Sequence, residues 1–69
     1  MDKGWSGSVS LRELEEHYAY RGEWRRGERY YPSEYVVYNE AVYKSTNVID
    51  GYAPGATDDW FYIGWLNRD

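Results

Sequence analysis

Residues 34–45 read Glu34-Tyr-Val-Val-Tyr-Asn-Glu-Ala-Val-Tyr-Lys-Ser45, and this stretch decides the fold. Two runs rich in aromatic and β-branched residues, Glu34 to Tyr38 and Ala41 to Ser45, flank the two-residue gap Asn39-Glu40. Such runs around a two-residue gap predict a β-hairpin. Asn suits the positive φ of a tight hairpin turn at its first position, whereas Glu stands at the second, where Gly is preferred. With this turn Tyr38 faces Ala41 and Val36 faces Tyr43, so Val36 and Tyr43 share one face of a sheet.

Working outward, residues 50–59 (DGYAPGATDD) are dense in turn formers and predict a loop. A closing strand is expected from Trp60 to Ile63 or as far as Trp65. On the N-terminal side, Ser10 and Glu13 form a capping-box pair, with Val9 and Leu14 placed as a hydrophobic staple. Leu11, Leu14 and Tyr18 recur on one helical face. Gly22 is the expected stop of a helix of about eight to ten residues, too short to persist without support. Residues 1–9 read as an extended arm around Trp5, short of apolar groups. The expectation is a mainly β chain: an antiparallel sheet of about three short strands with a tight hairpin, preceded by the arm and one short N-terminal helix. Residues 1–19 form the arm and helix, a docking segment, and residues 20–69 the β module.

Composition narrows the function. The 69 residues include 4 Trp, 9 Tyr and 1 Phe but only ten Val, Leu and Ile together, so the core is aromatic and some aromatics are left outside it. No cysteine and a single histidine exclude disulfides and the common structural zinc sites. The net charge of −4 disfavours free attraction to nucleic acid or anionic lipid. No apolar run reaches the ~20 residues of a membrane span. The start, MDKGWSGSVS, lacks a basic region followed by an apolar one, so no signal peptide is expected.

Catalytic constellations are absent from the pattern. His17 follows Glu13 by four residues, which reads as a surface pair before it reads as half a metal site. Asp58-Asp59 with Asp50 nearby lack the spacing of a calcium loop and read as solvated turn acids. No catalytic residue, metal or cofactor is expected. Arg21, Arg25, Arg26 and Arg29 alternate with Trp24, Tyr30 and Tyr31, as in single-strand nucleic-acid binders. Glu23 and Glu28 offset that charge, and cation–π stacking or salt bridges account for the arginines more simply.

The segment beginning YRGEW at Tyr20 continues through Trp24, Tyr30, acidic Glu34, Val36, Tyr38, a turn, Tyr43, Pro54 and Trp60. This pattern resembles the chitin-binding-type carbohydrate-binding modules of families five and twelve. It is most similar to the version found in bacteriophage tail and fibre proteins, which often begins with an RGEW-like segment. The resemblance implies a small β module with Trp24, Tyr30, Val36, Tyr43 and Trp60 as its structural core. Chitinase members carry a sugar-stacking tryptophan pair shortly after the strand tyrosine; those places hold Asn47 and Val48 here.

The surplus aromatics therefore carry the functional reading, because exposed Trp and Tyr either stack on sugar rings or anchor protein interfaces. The expected role is a non-catalytic structural or adsorption component of a phage-like virion (tail, baseplate, fibre or capsid surface). It would be made in the host cytoplasm and joined to larger virion proteins in an oligomeric assembly. Its docking residues would be Trp5, Leu11, Leu14 and Tyr18. The alternative is a module that binds chitin or cell-wall glycan through Tyr52, Tyr62 and Trp65. Neither nucleic-acid binding nor membrane insertion is expected.

Overall fold

The computed structural model describes residues 7–68. Seven strands and one short helix follow in the order β1 (Ser8–Ser10), α1 (Leu11–Glu15), β2 (Tyr20–Glu23), β3 (Arg29–Tyr30), β4 (Tyr35–Tyr38), β5 (Ala41–Ser45), β6 (Ile49–Asp50) and β7 (Trp60–Asn67). Five strands form one sheet in the order β1-β7-β5-β4-β2, and β3 pairs with β6 in a separate two-stranded sheet.

The hairpin is as the sequence predicts. Tyr38 pairs with Ala41 and Val36 with Tyr43. Asn39 and Glu40 both have positive φ, 53° and 61°, as a type I′ turn demands. β5 then pairs antiparallel with β7.

Three expectations are corrected. The sheet is mixed, because β1 pairs parallel with β7 and β2 pairs parallel with β4. It has five strands rather than about three, since residues 8–10 and 20–23 add an edge on either side. The helix stops at Glu15 rather than near Gly22. Glu15 and Glu16 put negative charge at the helix C-terminus, which the helix dipole opposes. The backbone N–H of Ala19 donates to His17 Nδ1 at 3.1 Å, and that of His17 to the Leu14 carbonyl, so the chain turns early. Gly22 lies instead inside β2, at φ +89°, where the β2–β4 register shifts.

Ser10 caps α1 as expected: its side chain accepts from the Glu13 N–H, at 3.5 Å. The arm before it is not wholly separate from the module. Val9 of β1 is fully buried, and Ser8–Ser10 lie in register with Trp65–Asn67.

Each face of the central sheet carries a buried cluster. On one, Val9, Leu14, Val37 and Val42 are buried together, with Tyr20, Tyr35, Ile63 and Leu66 around them. On the other, Tyr30 and Ile49 of the β3–β6 pair are buried together with Val36 and Trp60, with Trp24 and Tyr43 at the margin. Tyr30, Val36 and Trp60 thus take the core places expected of them, while Trp24 and Tyr43 are half-buried at its rim.

Buried Ser45 fastens the loop into β4. Its hydroxyl accepts from the Glu34 N–H at 3.0 Å and donates to the Tyr31 carbonyl. Its backbone exchanges two further bonds with Ser33 and Glu34, both at 2.8 Å.

Candidate functional site

In β7 the alternation of faces breaks once. Val42 pairs with Gly64 and Tyr43 with Tyr62, leaving Ile63 without an opposite number on β5. Successive side chains of a strand point to opposite faces, so Tyr62 and Trp65, three apart, would be separated in an unbroken strand. One extra residue reverses the alternation and brings both to the same face. Ile63 packs into the core on the far face with Leu66, and Gly64 adds no side chain opposite Val42.

The result is a strip of three rings. Tyr43 meets Tyr62 edge to face, with centroids 5.8 Å apart and planes at 66°. Tyr62 meets Trp65 in the same manner at 6.1 Å and 78°. Tyr62 is 46% and Trp65 59% exposed, although both sit in the longest strand of the sheet. Ser8 and Ala41 flank Trp65 as register partners on either side. Val36 lies beyond Tyr43, so the strip and its immediate register neighbours carry no acid or base. These rings can offer apolar faces to a ligand and phenol or indole groups to its hydroxyls.

Of the three residues expected to stack on sugar, Tyr62 and Trp65 are therefore brought together. Tyr52 is exposed in the loop after β6, where its carbonyl accepts the Trp60 indole N–H at 2.9 Å. Among the described residues it makes no ring contact with the strip. The expected docking residues part company as well. Leu14 is buried in the domain's own core and Leu11 is half-buried. Tyr18 is 95% exposed, its ring stacked on His17 at 5.1 Å. Trp5 lies outside the described residues.

Two features escaped the sequence reading. Tyr43, assigned to the core, also joins the strip. Phe61 is exposed on the opposite face, beside Lys44. Gly64 inside a strand pattern was the signal available for the bulge.

Three arginines, Arg21, Arg29 and Arg68, are committed to carboxylates. Arg21 lies over the Tyr30 ring, 4.8 Å from its centroid, and reaches Glu28 and Glu34 at 2.6 Å each. Arg29 grips Asp50 through two bonds of 2.9 and 3.0 Å across the β3–β6 pair, and this holds the Asp50 carboxyl below the usual range. Among the described residues no three or more His, Asp or Glu side chains group as metal ligands would. His17 is occupied by the Ala19 amide and by an edge contact with Tyr35 at 4.7 Å. Burial, then the charges of Glu15 and Glu23, raise the Tyr20 hydroxyl above its ordinary range. Compared with family models, curated proteins and solved structures, the chain matches none.

Proposed function

We propose that this chain is a non-catalytic binding module that attaches to a polysaccharide through Tyr62 and Trp65. One observation carries the reading: the bulge at Ile63 puts two half-exposed aromatic rings side by side on one sheet face. Leaving indole and phenol surface in water forgoes burial worth about 25 cal/mol per Å². Sugar rings fit such a surface, because their C–H faces are apolar while their hydroxyls stay wet. Retention of the chain on chitin, cellulose or bacterial cell-wall glycan tests the reading. Parent protein should be held back and Trp65→Ala should elute freely; equal elution of the two would refute it.

In a phage-like particle such a module would serve as an adsorption component, the setting that the RGEW-type resemblance implies. Tyr18 supports that setting, since a ring 95% exposed on the α1 side is available as an anchor to a larger virion protein. Copurification with larger virion proteins in fixed stoichiometry, lost on Tyr18→Ala, is the expected result. A chain that remains a monomer beside those proteins would exclude it.

A further inference from the structure

Resting on the polysaccharide reading, we infer that the strip takes a single, uncharged glycan chain free in solution or in amorphous material, and not the flat face of a crystalline polysaccharide. The angles between the rings decide this. A crystal face is planar, and a protein can lie on it only through rings that share a plane. Here each ring is turned from the one before it, by 66° between Tyr43 and Tyr62 and by 78° between Tyr62 and Trp65. Where one ring offers its face the next offers its edge, which makes a floor and a wall. A sugar unit of a lone chain can lie on the floor with its rim against the wall, whereas a rigid lattice would meet only the protruding edge. Edge-to-face contact is also the arrangement that aromatic pairs prefer at this spacing, so flattening the strip would forfeit the pairing.

Charge sets the second part of the inference. Register neighbours of the strip are Ser8, Val36 and Ala41, and the adjacent Glu40 is tied to Arg68. No basic group in the strip awaits a carboxylate or sulfate. The chain's net charge of −4 repels polyanions as a whole. Neutral sugars, bound by stacking and by hydroxyl groups, remain.

Indole fluorescence and amide NMR of the full chain, titrated with soluble β-1,4 hexasaccharides of N-acetylglucosamine and of glucose, test this directly. Parallel pull-downs use crystalline and acid-swollen chitin and cellulose, and a soluble polyuronic acid. The expected result is saturable binding of a neutral hexasaccharide, with shifts centred on Tyr43, Tyr62 and Trp65. Pull-down should be greater on swollen than on crystalline polymer. Tyr62→Ala and Trp65→Ala should each weaken binding about tenfold or more, with melting temperatures near the parent's, and Phe61→Ala on the opposite face should bind as the parent does. Retention on crystalline polymer without binding of soluble chains, or preference for the polyuronic acid, would overturn this inference while leaving the polysaccharide reading in place. Absence of binding to every one of these glycans, or binding unaffected by Tyr62→Ala and Trp65→Ala, would overturn both.

Discussion

Arg68 holds the carboxylate of Glu40 at the hairpin tip through two parallel bonds, Nε to Oε1 at 3.0 Å and Nη2 to Oε2 at 3.1 Å. Glu40 occupies a backbone conformation, φ 61°, that residues other than glycine rarely adopt. The pair gives this residue a use: it ties the turn between β4 and β5 to the end of β7. The Leu66 N–H, donating to the Glu40 carbonyl at 2.8 Å, makes the same connection through the backbone.

Replacing Glu40 with Gly relieves the backbone and removes the ion pair, two effects of opposite sign. The pair is exposed on both sides, so salt screens it while leaving the backbone effect untouched. Glu40→Gly should melt close to the parent at low ionic strength and a few degrees above it in 1 M salt. Thermal melts at both salt levels decide the matter. A variant that melts no higher than the parent even in 1 M salt would show that the turn strain has been misjudged.

Glu40 and Asp50 also set an acid limit. Their hydrogen bonds to Arg68 and Arg29 hold both carboxyls below the usual range in the folded chain. Folding therefore lowers proton uptake near pH 4, and the stability due to the pairs is complete above the ordinary carboxylate range of about 4. It is lost as the pH falls through the lowered folded values. Melting temperature should drop on acidification from about pH 5 to pH 3, and less steeply in Asp50→Asn. An identical slope in that variant would remove Asp50 from the account.

The two tryptophans of the β3–β6 side should respond differently to substitution. Trp60 is 6% exposed and its indole N–H binds the Tyr52 carbonyl, whereas the buried indole N–H of Trp24 meets no acceptor among the described residues. Trp60→Ala should cost about 3–5 kcal/mol, enough to threaten a domain this small. Trp60→Phe should cost about 1–2 kcal/mol, because it forfeits the bond to the loop. Trp24→Phe should cost less, since it removes an N–H that burial leaves unpaired. Urea denaturation of the three variants gives the order, and a Trp24→Phe more damaging than Trp60→Phe would reverse the argument.

Val9 tests whether the N-terminal segment belongs to the fold. It is fully buried with Leu14, Val37 and Val42, so Val9→Ala should destabilise the domain by about 2 kcal/mol. Deleting residues 1–9 should do at least as much harm, since part of β1 goes with it. The sequence alone suggests an arm whose loss leaves the module folded. A Val9→Ala variant as stable as the parent in urea would return the segment to that role.

Local chemistry sufficed for the hairpin turn and for the start of α1, but not for the helix's end, which falls at Glu15 and not near Gly22. The Asn39-Glu40 gap set the hairpin register, and Ser10 with Glu13 set the start of α1. The core places that the resemblance implies for Tyr30, Val36 and Trp60 are buried. The parallel pairings could not be read in this way. β1 meets β7 from the other end of the chain, and residues 8–10 carry no signal of their own that names a partner so distant. A parallel pair has no turn between its strands to fix the register, so only packing of Val9 beside Leu66 and Val42 decides it. The binding face depended on tertiary structure most of all. Alternation along Trp60–Asn67 assigns Tyr62 and Trp65 to opposite faces, and they share one only because Ile63 packs against the Val9, Leu14, Val37 and Val42 cluster while Tyr62 stays opposite Tyr43.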